Sequence, residues 1–168
     1  SSMKNITITG LTIIFLSLVA SVFAQAELPA AQTYELGHGA LEIFNGDAMA
    51  HTPQWVQIWI LFMVASFAVG LFFVRRHPLA RWVVGGFLAG MVLSAVLTSG
   101  LGLASLSGLI ASAHVICWSP ALYQLLTKRP FLGERSAFSI WSGVITLVII
   151  FSFIFDVRDA AIYLNHML

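Results

Sequence analysis

Few side chains in this sequence can do chemistry, and their placement narrows what that chemistry is. His114, Cys117, Ser119, Tyr123 and Gln124 fall in one apolar stretch, roughly Gly108 to Leu126. His114 is the one ionisable side chain well inside a hydrophobic block by this reading. An ionisable group in hydrocarbon is costly and is kept where it binds, relays protons or pairs. The imidazole could ligate haem or a metal, relay protons, or hold a polar substrate. The plain alternative is a neutral ring hydrogen-bonded to a backbone carbonyl or a hydroxyl, with Ser112, Ser119 and Tyr123 nearby in sequence. A bis-histidine haem would need a second histidine inside a span, and there is none. Ser119-Pro120 interrupts the same stretch, because proline removes a backbone hydrogen bond and frees the Ile116 carbonyl. These features make His114, Cys117, Ser119, Tyr123 and Gln124 the candidates to line a pathway or pocket. A kinked helix that serves packing alone accounts for them equally.

Other polar pairs have weaker spacing arguments. His38 and Glu42 are four apart, and so are Asp47 and His51. On helices each pair would share a face and could ligate zinc, nickel or copper(II). Asp156, Asp159 and His166 could approach them from the C-terminal end. Gly37, Gly39, Asn45 and Gly46 interrupt helix there, so a solvated segment without a metal explains the same residues. Asp156-Val157-Arg158-Asp159 offers a local ion pair. Cys117 is the single cysteine, which excludes an intramolecular disulfide and a thiolate zinc cluster. Gly86, Gly90, Ser94 and Thr98 recur every four residues, the pattern that lets two membrane helices approach closely. Their partner is either another span of this chain or a neighbouring subunit.

No catalytic signature accompanies these groups. GxSxG, HExxH and P-loop motifs are absent, and no span carries lysine or paired carboxylates. No catalytic residue is assigned and no cofactor is required.

The elements that must position these residues follow from composition. Of 168 residues, 59% are hydrophobic and 9% charged, and mean hydropathy is +0.93. Soluble domains carry about 25% charged residues, so this chain could not cover a water-facing surface. Its apolar residues fall in blocks of about 20, the length that crosses a bilayer. The expected fold is an all-α integral membrane bundle of four transmembrane helices, plus an N-terminal signal peptide or uncleaved fifth helix. The spans are expected over 55–74, 82–104, 108–126 and 137–155, within a bundle of residues 55–168 that ends in a short outward tail. Residues 1–26 read as a cloning scar (Ser1-Ser2 before Met3) and a signal segment, with Ala24-Gln25-Ala26 in the small-x-small form of a cleavage site. Residues 27–54 form an acidic segment, and Tyr34 to Phe44 would fit an amphipathic helix lying on the membrane.

The few charges are sorted. Arg75, Arg76, Arg81, Lys128, Arg129 and Arg135 share two loops with one acid, Glu134. Glu27, Glu35, Glu42, Asp47, Asp156 and Asp159 lie on the opposite side with one cation, Arg158. By the positive-inside rule the basic loops are cytoplasmic and the acidic segment and C-terminus extracytoplasmic, as in a bacterial inner membrane. A net charge of +1 gives no case for nucleic acid. The partners expected are the bilayer and either further copies of the chain or a larger membrane complex. An oligomeric channel or transporter lined by the third span is the leading function. A non-catalytic accessory subunit, or a metal- or cofactor-binding protein using His114 or the outward histidines, are the alternatives.

Overall fold

A computed structural model of the chain describes residues 34–168, together with Gly10, Ile13 and Ser17. The expected cleavage motif and most of the signal segment lie outside the described residues. Four helices in the described part are long and apolar enough to cross a membrane. The protein is an all-α membrane bundle, as the blocks of apolar sequence require.

A short helix, α1 (Gly46–His51), precedes the spans and is capped by the Asn45 side chain, which accepts from the Ala48 amide at 2.9 Å. The first span is α2 (Gln54–Val69), prolonged by a tighter turn over Gly70–Phe72. The second is α3 (Pro78–Ala95), which starts with proline at a position where no amide is needed and unwinds into a wider π turn over Val96–Gly100. The third is α4 (Ser107–Lys128), stopped by Arg129 in the left-handed conformation at φ 47° and by Pro130 behind it. The fourth is α5 (Ala137–Met167), opened by a reciprocal cap between Ser136 and Ser139. Alternating direction gathers Arg75, Arg76, Arg81 and Lys128–Arg135 at one end, the basic end. Residues 34–53, residues 101–107 and the last turns of α5 gather at the other, the acidic end.

Two expectations need correction. The helix of the last span does not end where its apolar run ends at Phe155, because α5 continues through Asp156 and Asp159 to Met167. Charge ends a hydrocarbon-compatible stretch without ending a helix, and Ala160, Ala161 and Leu164 are good helix formers. At 31 residues α5 is about 46 Å long, well beyond the roughly 30 Å of a hydrocarbon core. The surface helix expected over Tyr34 to Phe44 is also absent. Gly37 and Gly39 disfavour helix there, and the chain folds back on itself. The Gly37 amide donates to the Ile43 carbonyl at 3.1 Å, and the Ile43 amide to the Glu35 carbonyl at 2.7 Å. This turn docks through its backbone. Phe44 donates to Ser105 at 2.9 Å, while Ser107 and Gly108 donate to Glu42 and Ala40 at 3.0 and 2.8 Å. Ile43 then packs beneath it with Leu106, Leu109 and Tyr163 as a small separate core.

The larger core occupies the middle and basic half of the bundle, where Phe67, Trp118, Leu125, Ile145 and Ile149 are fully buried. Ile58, Leu61, Phe72, Leu147 and Ile154 stay exposed on the outside, as side chains that meet lipid should. The small-residue ridge of α3 meets α4. A Cβ on Gly86 would stand 2.7 Å from the Cys117 carbonyl oxygen, whereas one on the adjoining Gly85 would touch nothing within 4 Å. Backbone cannot yield as a side-chain tip can. Gly86→Ala is therefore expected to cost about 1–3 kcal/mol, and Gly85→Ala to be tolerated. Thermal unfolding of the two variants in mild detergent checks this; equal melting of both would show that the α3–α4 approach is not limited at Gly86.

Candidate binding chamber at the acidic end

α2 and α3 are joined by a short loop at the basic end. Between them, towards the acidic end, lies a chamber of about 430 Å³ backed by α4 and α5. Its walls follow helical periodicity. α4 contributes Ser107, Ala111, His114 and Trp118, successive positions on one face, and α5 contributes Ser152, Asp156 and Asp159. α3 contributes Phe87, Gly90 and Ser94, and the π turn after it Thr98. The ridge of small residues thus has two uses: at Gly86 it admits α4, and further along it leaves room for the chamber. Trp55 and Trp59 of α2 and Phe151 and Phe155 of α5 make the remaining wall aromatic. Trp59 and Phe151 meet edge to face with centroids 4.4 Å apart. His38 from the docked turn and Arg158 also contribute to the lining.

His114 is held from two sides. Its Nδ1 lies 3.1 Å from Oδ2 of Asp156, and its ring stacks on Trp118 at 4.1 Å with the planes 13° apart. Both partners are largely shielded, with 21% and 16% of their side-chain surface exposed. Trp118 leans in turn on Phe67 and Phe87 at 4.8 and 6.0 Å. A carboxylate facing Nδ1 favours a proton on that nitrogen. No hydrogen bond to Nε2 is present among the described residues. Two donors in the lining are also unpaired there, the indole N–H of Trp118 and the Ser107 hydroxyl, both buried atoms. Buried polar atoms in native proteins are nearly always satisfied; these two donors have almost no accessible surface and stand eleven residues apart on α4, about 16 Å along its axis.

The structure separates the residues that sequence grouped together. Of the third-span candidates, His114 lines the chamber and the others do not. Cys117 lies beside Gly86 in a shallow notch that also includes Trp82 and Pro120. The Ser119 hydroxyl donates to the Val115 carbonyl. Tyr123 is 68% exposed, and Gln124 is half-buried. At about 100° per residue, Tyr123 stands roughly 180° round α4 from His114. The metal pairs fare differently from one another. His38 and Glu42 are not on a helix; the Glu42 carboxylate accepts from the Gly39 amide at 2.8 Å. Asp47 and His51 do share α1, but His51 Nδ1 contacts the Asp47 carbonyl at 3.0 Å rather than its carboxylate. His166 pairs with Tyr34 at 3.2 Å, and Arg158 with Asp159 at 3.3 Å. Among the described residues no group of three or more His, Cys, Asp and Glu side chains is placed to hold a metal ion.

The sequence named Asp156 only for a metal site or a local ion pair, not as the partner of His114, and it did not single out Trp118. The spacing Ser152, Asp156, Asp159, which continues the polar line of Ser142 and Thr146 along α5, is the signal that would have found Asp156. Trp118 has no such signal, since a tryptophan in a span is ordinary packing material.

The fold and the chamber define the class: a small polytopic helical membrane protein. No family model matches the chain, and no curated protein or solved structure matches it either.

Proposed function

We propose that this protein is a membrane receptor for one small lipophilic molecule, held in the chamber between α2 and α3. The observation that carries the reading is an aromatic-walled space of about 430 Å³ with the His114–Asp156 pair in its wall. Sites for small ligands are concave, mostly apolar, some 300–1,000 Å³ in volume, and oriented by a few polar groups. By the sorting of charge, the acidic end that holds the chamber would face the extracytoplasmic side. The same chamber lends support to a transporter, the function that the third span led us to expect. A path to the basic end would have to pass the packed side chains of Phe67, Trp118 and Ile149, so capture accounts for the geometry with fewer movements than conduction.

The uncharged dye N-phenylnaphthylamine tests this. In the purified protein it is expected to show saturable energy transfer from tryptophan at one molecule per chain, because Trp55, Trp59 and Trp118 all line the chamber. Ser94→Phe, which fills the chamber from α3, is expected to abolish saturation while leaving the fold intact. Identical, unsaturable transfer in both proteins would mean that the dye reads only detergent, and the reading would fall.

A further inference from the structure

We infer that the notch on the outer face of α3 and α4 is a binding site for one anionic phospholipid, with an acyl chain in the notch and the phosphate against Arg81. Gly85, Gly86 and Ala89 of α3 line it opposite Cys117 and Pro120 of α4, around a space of about 350 Å³. Arg81 and Trp82 line its end nearest the basic loops. From Arg81 to Ala89 it runs about 12 Å along α3, within the roughly 15 Å of hydrocarbon that one leaflet supplies. Trp82, Gly85, Ala89 and Pro120 are exposed, so the notch faces lipid rather than the bundle interior. Glycine weakens a helix relative to alanine. The close approach of α4 accounts for Gly86, but a Cβ on Gly85 would meet nothing within 4 Å. The space over Gly85 is therefore left to the membrane.

Arg81 selects which lipid fills it. Its Nε donates to the Val74 carbonyl at 2.6 Å and its Nη2 to the Arg75 carbonyl at 3.1 Å. The guanidinium is thus held in place by neutral acceptors, and among the described residues no carboxylate pairs with it. These two bonds leave the rest of its donor fork for a phosphate. Arg75, Arg76, Lys128, Arg129 and Arg135 strengthen the positive field at this end, against Glu134 alone. Basic sites between membrane helices take anionic headgroups. A zwitterionic lipid brings its own cation along with its phosphate and gains less. A second copy docked through this face in the same membrane would set Arg81 against Arg81, and like charges repel.

The test is tryptophan quenching of the full chain in vesicles, by phosphatidylglycerol and by phosphatidylcholine brominated on their acyl chains. Trp82 is read as the difference between the unaltered protein and Trp82→Phe. Phosphatidylglycerol is expected to bind beside Trp82 about fivefold more strongly, the worth of one cation at the membrane surface. Gly85→Leu fills the notch; it should melt no lower than the unaltered protein and should lose the preference. Arg81→Gln should equalise the two lipids while leaving quenching by both. If Arg81→Gln does not fold, Gly85→Leu and the comparison on the unaltered protein decide. Equal quenching of the unaltered protein by both lipids overturns the inference, because any lipid then passes the notch without being selected. Absence of quenching at Trp82 by either lipid overturns it too, and means that protein, from this chain or a second copy, covers the notch. A preference that Gly85→Leu retains would assign the selection to the basic loops and remove the notch from it.

Discussion

Replacing Gly108 by valine is expected to unseat residues 34–44 from the bundle and to lower folding stability by about 3 kcal/mol or more. The docked turn and α5 both converge on this one position of α4. A Cβ there would lie 2.5 Å from the Tyr163 Cβ, 2.7 Å from the Ala40 carbonyl oxygen and 2.9 Å from the Asp159 carbonyl oxygen. Real Cβ atoms do not approach others so closely, and two of these three neighbours are backbone. Relief requires the docked turn to lift from α4, which breaks the Gly108–Ala40 and Ser107–Glu42 hydrogen bonds of 2.8 and 3.0 Å. It also requires Tyr163, 7% exposed, to leave the small core it shares with Ile43, Leu106 and Leu109. Because Ser107, His38 and Asp159 all contribute to the chamber lining, the same displacement would disturb the chamber. Two measurements check the expectation: thermal unfolding in mild detergent, and the rate of proteolysis within residues 34–44. Gly108→Ala should show the same effects in smaller measure. Wild-type melting together with wild-type cleavage of Gly108→Val would show that the three-way contact is not needed.

What sequence made legible here depends on whether the controlling interaction was local. The four spans were readable because each is a run of apolar residues of membrane length, a property of the run alone. His114 stood out for the same reason, as an ionisable group inside such a run. The close approach at Gly86 was readable as a spacing, but the identity of its partner was not. Either another span or another subunit fits the motif, and the structure supplies α4 through Cys117. Asp156 was not matched with His114 because its charge marked the end of a run, and the end of a run was taken as the end of the helix. The grouping of His114 with Tyr123 and Gln124 came from counting polar residues along the stretch. Counting them round the helix would have put Tyr123 on the opposite face. The turn over residues 34–44 failed for the opposite cause. Its apolar residues do recur, but their partners are Leu106, Leu109 and Tyr163, far away in the chain, and backbone pairing with residues 105–108 outweighs any local preference for helix.

Trp118→Ala is expected to produce the largest change of any single truncation in the chamber, a loss of about 3 kcal/mol with a deeper cavity left behind. Trp118 is 1% exposed and is touched by three rings, those of Phe67, Phe87 and His114. Lipid tails are as apolar as the side chains they would replace, so transfer from water contributes little to holding the indole in place. The stabilisation comes instead from dense packing, and that is what alanine forfeits. The indole also separates the chamber from the core of the basic half, since it lines the one and belongs to the other. Its removal should therefore join to the chamber the space it filled, and let the protein take up a longer dye than the wild type accepts. Trp118→Phe gives the contrast. It retains an aromatic ring against Phe67 and His114, and it deletes an indole N–H that has no partner among the described residues. An unpaired buried donor costs about 1–3 kcal/mol, so phenylalanine should regain most of what alanine loses. Unfolding by titration with a harsh detergent measures both variants on one scale. If alanine melts with the wild type, the ring stack is not what holds this region. If phenylalanine is as damaging as alanine, the full breadth of the indole, and not an aromatic ring alone, is what fills this site.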